Sequence, residues 1–74
     1  MKIDKNDFIT LSDNIKYLVV SKVINENVDY FCLVDIVDNY VIKYVTIVGN
    51  VVREVKNQKL LDKIMKLIIN DLKL

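Results

Sequence analysis

Positions 15–36 read IKYLVVSKVINENVDYFCLVDI, and this stretch decides the fold. Two apolar runs, rich in β-branched and aromatic residues, flank Asn25-Glu26-Asn27. Asn tolerates the left-handed backbone that a tight turn demands, so the cluster reads as a turn. Each run alternates with a period of two, which sends successive side chains to opposite faces of a strand. A short connection makes the two runs antiparallel neighbours, and the pair reads as a β-hairpin.

The same pattern continues on both sides. Turn clusters at Ser12-Asp13-Asn14, Val37-Asp38-Asn39 and Gly49-Asn50 divide the chain into five strands, at 8–11, 15–24, 28–36, 40–48 and 51–55. From Lys59 onward the period becomes 3.6. Leu61, Ile64, Met65, Ile68 and Leu72 fall on one side, and Lys59, Lys63, Lys66 and Lys73 on another. Asn57 stands where an N-cap belongs, so the spacing predicts a helix over 58–73. The expected fold class is α+β: one domain over 1–74, a five-stranded antiparallel β-meander with one C-terminal amphipathic helix on one face.

Composition excludes more than it suggests. At 74 residues and 8.6 kDa the chain buries only about 60% of its unfolded surface, so a single core must supply the stability. Eleven basic and ten acidic residues leave a net charge of +1, too little for long-range steering of a partner. With no His, neither Ser12, Ser21 nor Cys32 has a partner base for nucleophilic catalysis. One Gly and one Cys are too few for a phosphate-cradling loop or a zinc site. Asp35, Asp38 and Asn39 form a small oxygen-rich cluster, but their number and spacing read as turn chemistry rather than a calcium site. No enzyme activity, cofactor or metal is expected. Cys32 has no partner for an internal disulfide and lies in an apolar run, where a thiol behaves as a small hydrophobe. The first residues lack the apolar core of a signal peptide, and no uncharged stretch approaches the roughly 18 residues of a membrane span. The expectation is a cytoplasmic protein that engages no membrane.

Strand phase predicts which sheet face the helix covers. One set comprises Ile15, Tyr17, Val19, Ser21 and Val23; Val28, Tyr30, Cys32, Val34 and Ile36; and Tyr40, Ile42, Tyr44, Thr46 and Val48. It holds all four tyrosines and no charge, and burying an unpaired charge is costly, so this set is expected beneath the helix. A two-residue loop at Asn25-Glu26 then sets Lys22 opposite Asp29, Lys16 opposite Asp35, Val20 against Phe31 and Leu18 against Leu33. A four-residue loop is the competing register and loses those charge pairings.

The second face therefore carries an apolar centre of Leu18, Val20, Phe31, Leu33, Val41 and Val45, rimmed by Lys16, Lys22, Asp29 and Asp35. An apolar centre bordered by charge is the anatomy of a protein interface. The leading expectation is a non-enzymatic interaction module that binds another protein, or itself as a homodimer, through this face. The competing reading is a sheet that curls into a partial barrel and buries both faces. A second function class rests on Lys59, Lys63, Lys66 and Lys73, whose helix face presents positive charge to a nucleic-acid backbone.

The run Phe8-Ile9-Thr10-Leu11-Ser12-Asp13-Asn14-Ile15-Lys16-Tyr17-Leu18-Val19-Val20, with Tyr30-Phe31-Cys32-Leu33-Val34-Asp35 and Lys59-Leu60-Leu61-Asp62-Lys63-Ile64, resembles a group of small uncharacterised proteins. These come from low-GC Gram-positive bacteria, their phages and mobile elements, and are filed as a domain of unknown function. Abundant Ile, Lys, Asn and Tyr, with no Ala or Pro, agree with an AT-rich genome. The resemblance implies a β-meander plus helix with no catalytic residues. By analogy with phage-borne proteins of this size, it also implies docking on a host protein, with inhibition of a CRISPR effector as one example.

Overall fold

The computed structural model describes residues 3–73. The central hairpin pairs β2 (Lys16–Asn25) with β3 (Val28–Asp35). Its loop is Glu26-Asn27, with φ of 52° and 65° at the two positions. Positive φ at both positions is the type I′ geometry, whose twist matches that of the flanking strands. The turn thus falls one residue later than the sequence suggests, and Asn25 pairs with Val28.

A β-bulge supplies the second departure. Val19 pairs with Leu33, but the next pair is Ser21 with Cys32, so Val20 is an extra residue in β2. The two shifts bring Lys22 opposite Phe31, Leu18 opposite Val34 and Tyr17 opposite Asp35. The expected Lys22–Asp29 and Lys16–Asp35 pairs do not form, because turn position and bulge move the register away from them. The bulge also reverses the facing of β2. Ahead of it, Tyr17 and Val19 share a face with Leu33; beyond it, Ser21 and Val23 share the opposite face with Cys32 and Tyr30.

Around this hairpin, β1 (Phe8–Thr10) adds to β2, β4 (Ile42–Val48) to β3, and β5 (Val51–Glu54) to β4. The result is one antiparallel meander in the order β1-β2-β3-β4-β5. Helix α1 (Gln58–Leu72) follows. Asn57 caps it as expected, its side chain accepting from the Leu60 amide at 3.1 Å, and Lys73 ends it in the left-handed region at φ 56°.

The sheet is a curled half-barrel, and both of its faces carry core. The enclosed face gathers Ile3, Tyr17, Val19, Phe31, Leu33 and Val45, with Ile9, Leu11, Ile47 and Val52 packed against them. Side chains from all five strands meet in this cluster, which a flat sheet does not allow. The outer face holds Val23, Tyr30, Cys32 and Val55 beneath Ile64 and Ile68 of the helix, with Val20 and Tyr44 alongside. Ser21 is fully buried there, and its hydroxyl donates to Asp71 Oδ2 at 2.7 Å. That bond ties the last turn of the helix to β2.

The tyrosines consequently divide. Tyr30 and Tyr44 lie under the helix, Tyr17 is buried on the enclosed face, and Tyr40 stands in the β3–β4 loop at 95% exposure. The uncharged set is not a single face, because the bulge breaks its phase within β2.

Phe31 is 3% and Leu33 0% exposed. Phe31→Asp is expected to unfold the protein, and Leu33→Ala to cost about 2–5 kcal/mol, both read by far-UV circular dichroism during urea denaturation. Glu26→Asn, by contrast, should stabilise by about 0.5–1 kcal/mol, because Glu bears a steric penalty at φ 52° that Asn largely avoids.

Candidate functional site

Curling brings the edges β1 and β5 toward one another without closing the sheet. Between them lies a cleft of about 560 Å³. Leu11, Val45 and Val52 form its apolar lining, and Asp13, Lys43 and Glu54 its charged rim. Asp13 comes from the β1–β2 turn, where its carboxylate accepts the Ile15 amide at 2.9 Å, an Asx-type turn contact. The same carboxylate accepts the Tyr17 hydroxyl at 2.8 Å and faces Lys43 Nζ at 3.4 Å. Lys43 Nζ also stands 5.7 Å from the centroid of the Tyr17 ring.

These contacts set the protonation of the three groups. The Ile15 amide, aided against burial by Tyr17 and Lys43, holds the Asp13 carboxyl below the 3.8 of a free aspartate. Burial raises the Tyr17 phenol, and the Asp13 hydrogen bond adds to it. Burial pulls the Lys43 ammonium down, but the Asp13 hydrogen bond and the nearby Tyr17, Asp13 and Glu54 charges raise it overall. All three groups thus keep their ordinary neutral-pH states. The network orders the cleft wall and poises no acid or base near neutrality for proton transfer.

A second surface lies on the outer face, beside the area that the helix covers. Cross-strand pairing lines up Phe8 with Leu18, Leu18 with Val34 and Val34 with Ile42. Leu18 and Val34 belong to neither core cluster, and Phe8 and Ile42 are 55% and 48% exposed. Lys16 Nζ sits over the Phe8 ring at 5.0 Å from its centroid. Beyond this row, the β3–β4 loop presents Val37 at 90% exposure next to Tyr40. The loop is braced from within. Asp35 is buried, and its Oδ1 accepts the Val37 and Asp38 amides at 2.8 and 3.2 Å, while Asp38 Oδ1 accepts the Tyr40 amide at 3.1 Å.

The ten residues expected to form one interface are therefore separated. Phe31, Leu33 and Val45 are enclosed core, and Val41 packs at its margin. Lys22 stacks over Phe31, with Nζ 5.9 Å from the ring centroid, and Asp29 is exposed opposite Ile24. Asp35 is spent on its own loop. Leu18, Val20 and Lys16 stand on the outer face, where Val20 packs against the helix-covered core. Lys59, Lys63, Lys66 and Lys73 are all exposed, and none has an ion-pair partner among the described residues.

The sequence held only weak signals for the features it missed. Asp13 and Lys43 lie 30 positions apart and meet only through the curl. Phe8, Val34 and Ile42 are ordinary strand residues until register aligns them. Comparisons with protein-family models, curated proteins and solved structures find no match. No helix among the described residues is long and apolar enough to cross a membrane.

Two titrations test these contacts. Asp13 and Asp71 are both held low, Asp71 chiefly by the Ser21 hydroxyl and further by Lys5. A carboxyl depressed in the folded state stabilises above its unfolded value of 3.8 and loses that contribution as pH falls through its folded value. Asp71→Asn is expected to flatten the acid limb of the stability–pH curve below about pH 4, read by urea midpoint. Burial pushes the Cys32 thiol from 9.0 up to about 11. Its contribution is complete below pH 9 and falls as pH rises toward 11. A thiol reagent at pH 8 should therefore label folded protein at the rate of unfolding and urea-unfolded protein at once.

Proposed function

We propose that this chain is a non-enzymatic protein-interaction module. The observation that supports the reading is the uncovered Phe8–Leu18–Val34–Ile42 row on the outer face. A chain of this size gains little by leaving a register-aligned apolar row in water, and exposed apolar patches mark interaction sites. The braced β3–β4 loop adds Val37 and Tyr40 at its margin. Their low mobility cost suits them as anchors, because internal hydrogen bonds already order the loop. The partner is a protein that offers an apolar surface, and Lys16 beside Phe8 favours one with an acidic rim. The sequence resemblance noted above, by analogy with phage-borne proteins of this size that dock on a host protein, points the same way.

A second reading follows from the helix. Its four exposed lysines face water without ion-pair partners among the described residues, and such a row can contact phosphates. Replacing Lys59, Lys63 and Lys66 by Glu would erase that contact, and its affinity would fall steeply with salt.

The outer-face reading is tested by the double variant Phe8→Glu with Ile42→Lys. Both side chains are half exposed, so the fold should persist within about 1 kcal/mol by urea denaturation. Capture of partner protein by the tagged chain, or a dimer mass on light scattering, is expected for the wild type and lost in the double variant. Binding that survives this variant and disappears with the lysine replacements favours the nucleic-acid reading instead.

A further inference from the structure

The half-barrel stops one strand short of using its edges. β1 and β5 each have a single neighbour. The Val55 amide donates to the Tyr44 carbonyl at 2.8 Å, so antiparallel alternation turns the main-chain groups of Glu54, and then Val52, away from β4. On the other wall the Leu11 amide donates to the Ile15 carbonyl at 3.2 Å, which turns the Thr10 main chain away from β2 in the same manner. Thr10, Val52 and Glu54 all line the one cleft, so free main-chain donors and acceptors face it from both sides.

Side chains define what would fit between them. The lining is apolar at Leu11, Val45 and Val52. Of the charged groups on the rim, Lys43 is engaged by Asp13 at 3.4 Å, and Asp13 is saturated further by Tyr17 and Ile15. Glu54 is exposed and has neither hydrogen bond nor ion pair among the described residues. Two carboxylates against one ammonium leave the rim negative: Lys43 is bonded to Asp13 and feels Glu54 as well, so the two acids share one cation. A volume of about 560 Å³ lies within the usual range of ligand sites, roughly 300–1,000 Å³.

We propose that this cleft takes an extended peptide from a partner protein as a sixth strand. The peptide pairs with the free main chain of Val52 and Glu54, sets alternate apolar side chains against Leu11, Val45 and Val52, and places a lysine or arginine at Glu54. Strand addition draws affinity from main-chain bonds and specificity from the alternate side chains, and this cleft supplies both. The site is separate from the outer-face row, and neither depends on the other.

The probe is an acetylated, amidated hexapeptide, Thr-Val-Thr-Lys-Thr-Val, titrated into the full isotope-labelled chain and followed by amide chemical shifts. Shifts are expected at Thr10, Val52 and Glu54, with the outer-face residues Phe8, Val34 and Ile42 unmoved. A peptide with Glu in place of Lys should bind about fivefold or more weakly, and Glu54→Lys should invert that preference. Val52→Pro removes the edge donor at a position where proline leaves the β4 ladder intact, and it should abolish binding. Should Val52→Pro fail to fold, the charge swap at exposed Glu54 decides alone. Absence of shifts, shifts confined to the outer face, or a charge preference indifferent to Glu54→Lys would each overturn the proposal. So would a dimer in which a second copy already fills the edge.

Discussion

The extra residue at Val20 is the constraint on which the rest of this molecule depends. Without it, β2 would present Tyr17, Val19, Ser21 and Val23 to one face, and the opposite face would have to place Lys16, Lys22, Asp29 and Asp35 around an apolar centre. With it, the strand sends Tyr17 and Val19 to one side and Ser21 and Val23 to the other, so one strand contributes to both cores. Bulges bend a strand and raise its local twist, and here the bend lies at the middle of the longest strand. Curling of the sheet and division of the core are thus two consequences of one local irregularity.

Two cores solve the size problem differently from one. A flat five-stranded meander of this length would bury a single face under a single helix. The half-barrel buries Leu33, Val45 and Tyr17 against each other on the enclosed side while Ile64 and Ile68 cover Cys32 and Tyr30 outside. Among the described residues, the polar side chains that this arrangement buries are all answered. Ser21 reaches Asp71, Tyr17 reaches Asp13, and Asp35 takes two amides of its own loop. Each bond also fixes something: the helix end, the β1–β2 turn and the β3–β4 loop, respectively.

The same geometry leaves two surfaces unfinished. Incomplete closure leaves the β1 and β5 edges facing each other across a cleft, and the single helix leaves the Phe8–Leu18–Val34–Ile42 row uncovered. Exposed edges and apolar rows cost a small protein solubility and specificity unless something uses them. On the cleft wall Asp13 is held ionised and Lys43 protonated, while the Cys32 thiol is buried and held protonated.

The sequence by itself determined the element order, because hydrophobic period is local: five runs of period two, turns at Asn and Asp clusters, and one helix capped by Asn57. It also determined that Cys32 would be buried, as an apolar residue within an apolar run. Which residues share a face was decided only by the tertiary structure. Facing depends on counting residues across a turn and along a strand, and a one-residue error reverses every side chain. Here the turn at Glu26-Asn27, held by positive φ, slid the pairing by two positions, and the extra residue at Val20 slid it back by one and switched the facing of β2, neither of which residue type announces. Phe31, Leu33 and Val45 therefore became core, while Phe8, Val34 and Ile42 came to the surface. The meeting of Asp13, Lys43 and Glu54 followed from curvature, a property of the whole sheet that no single strand carries.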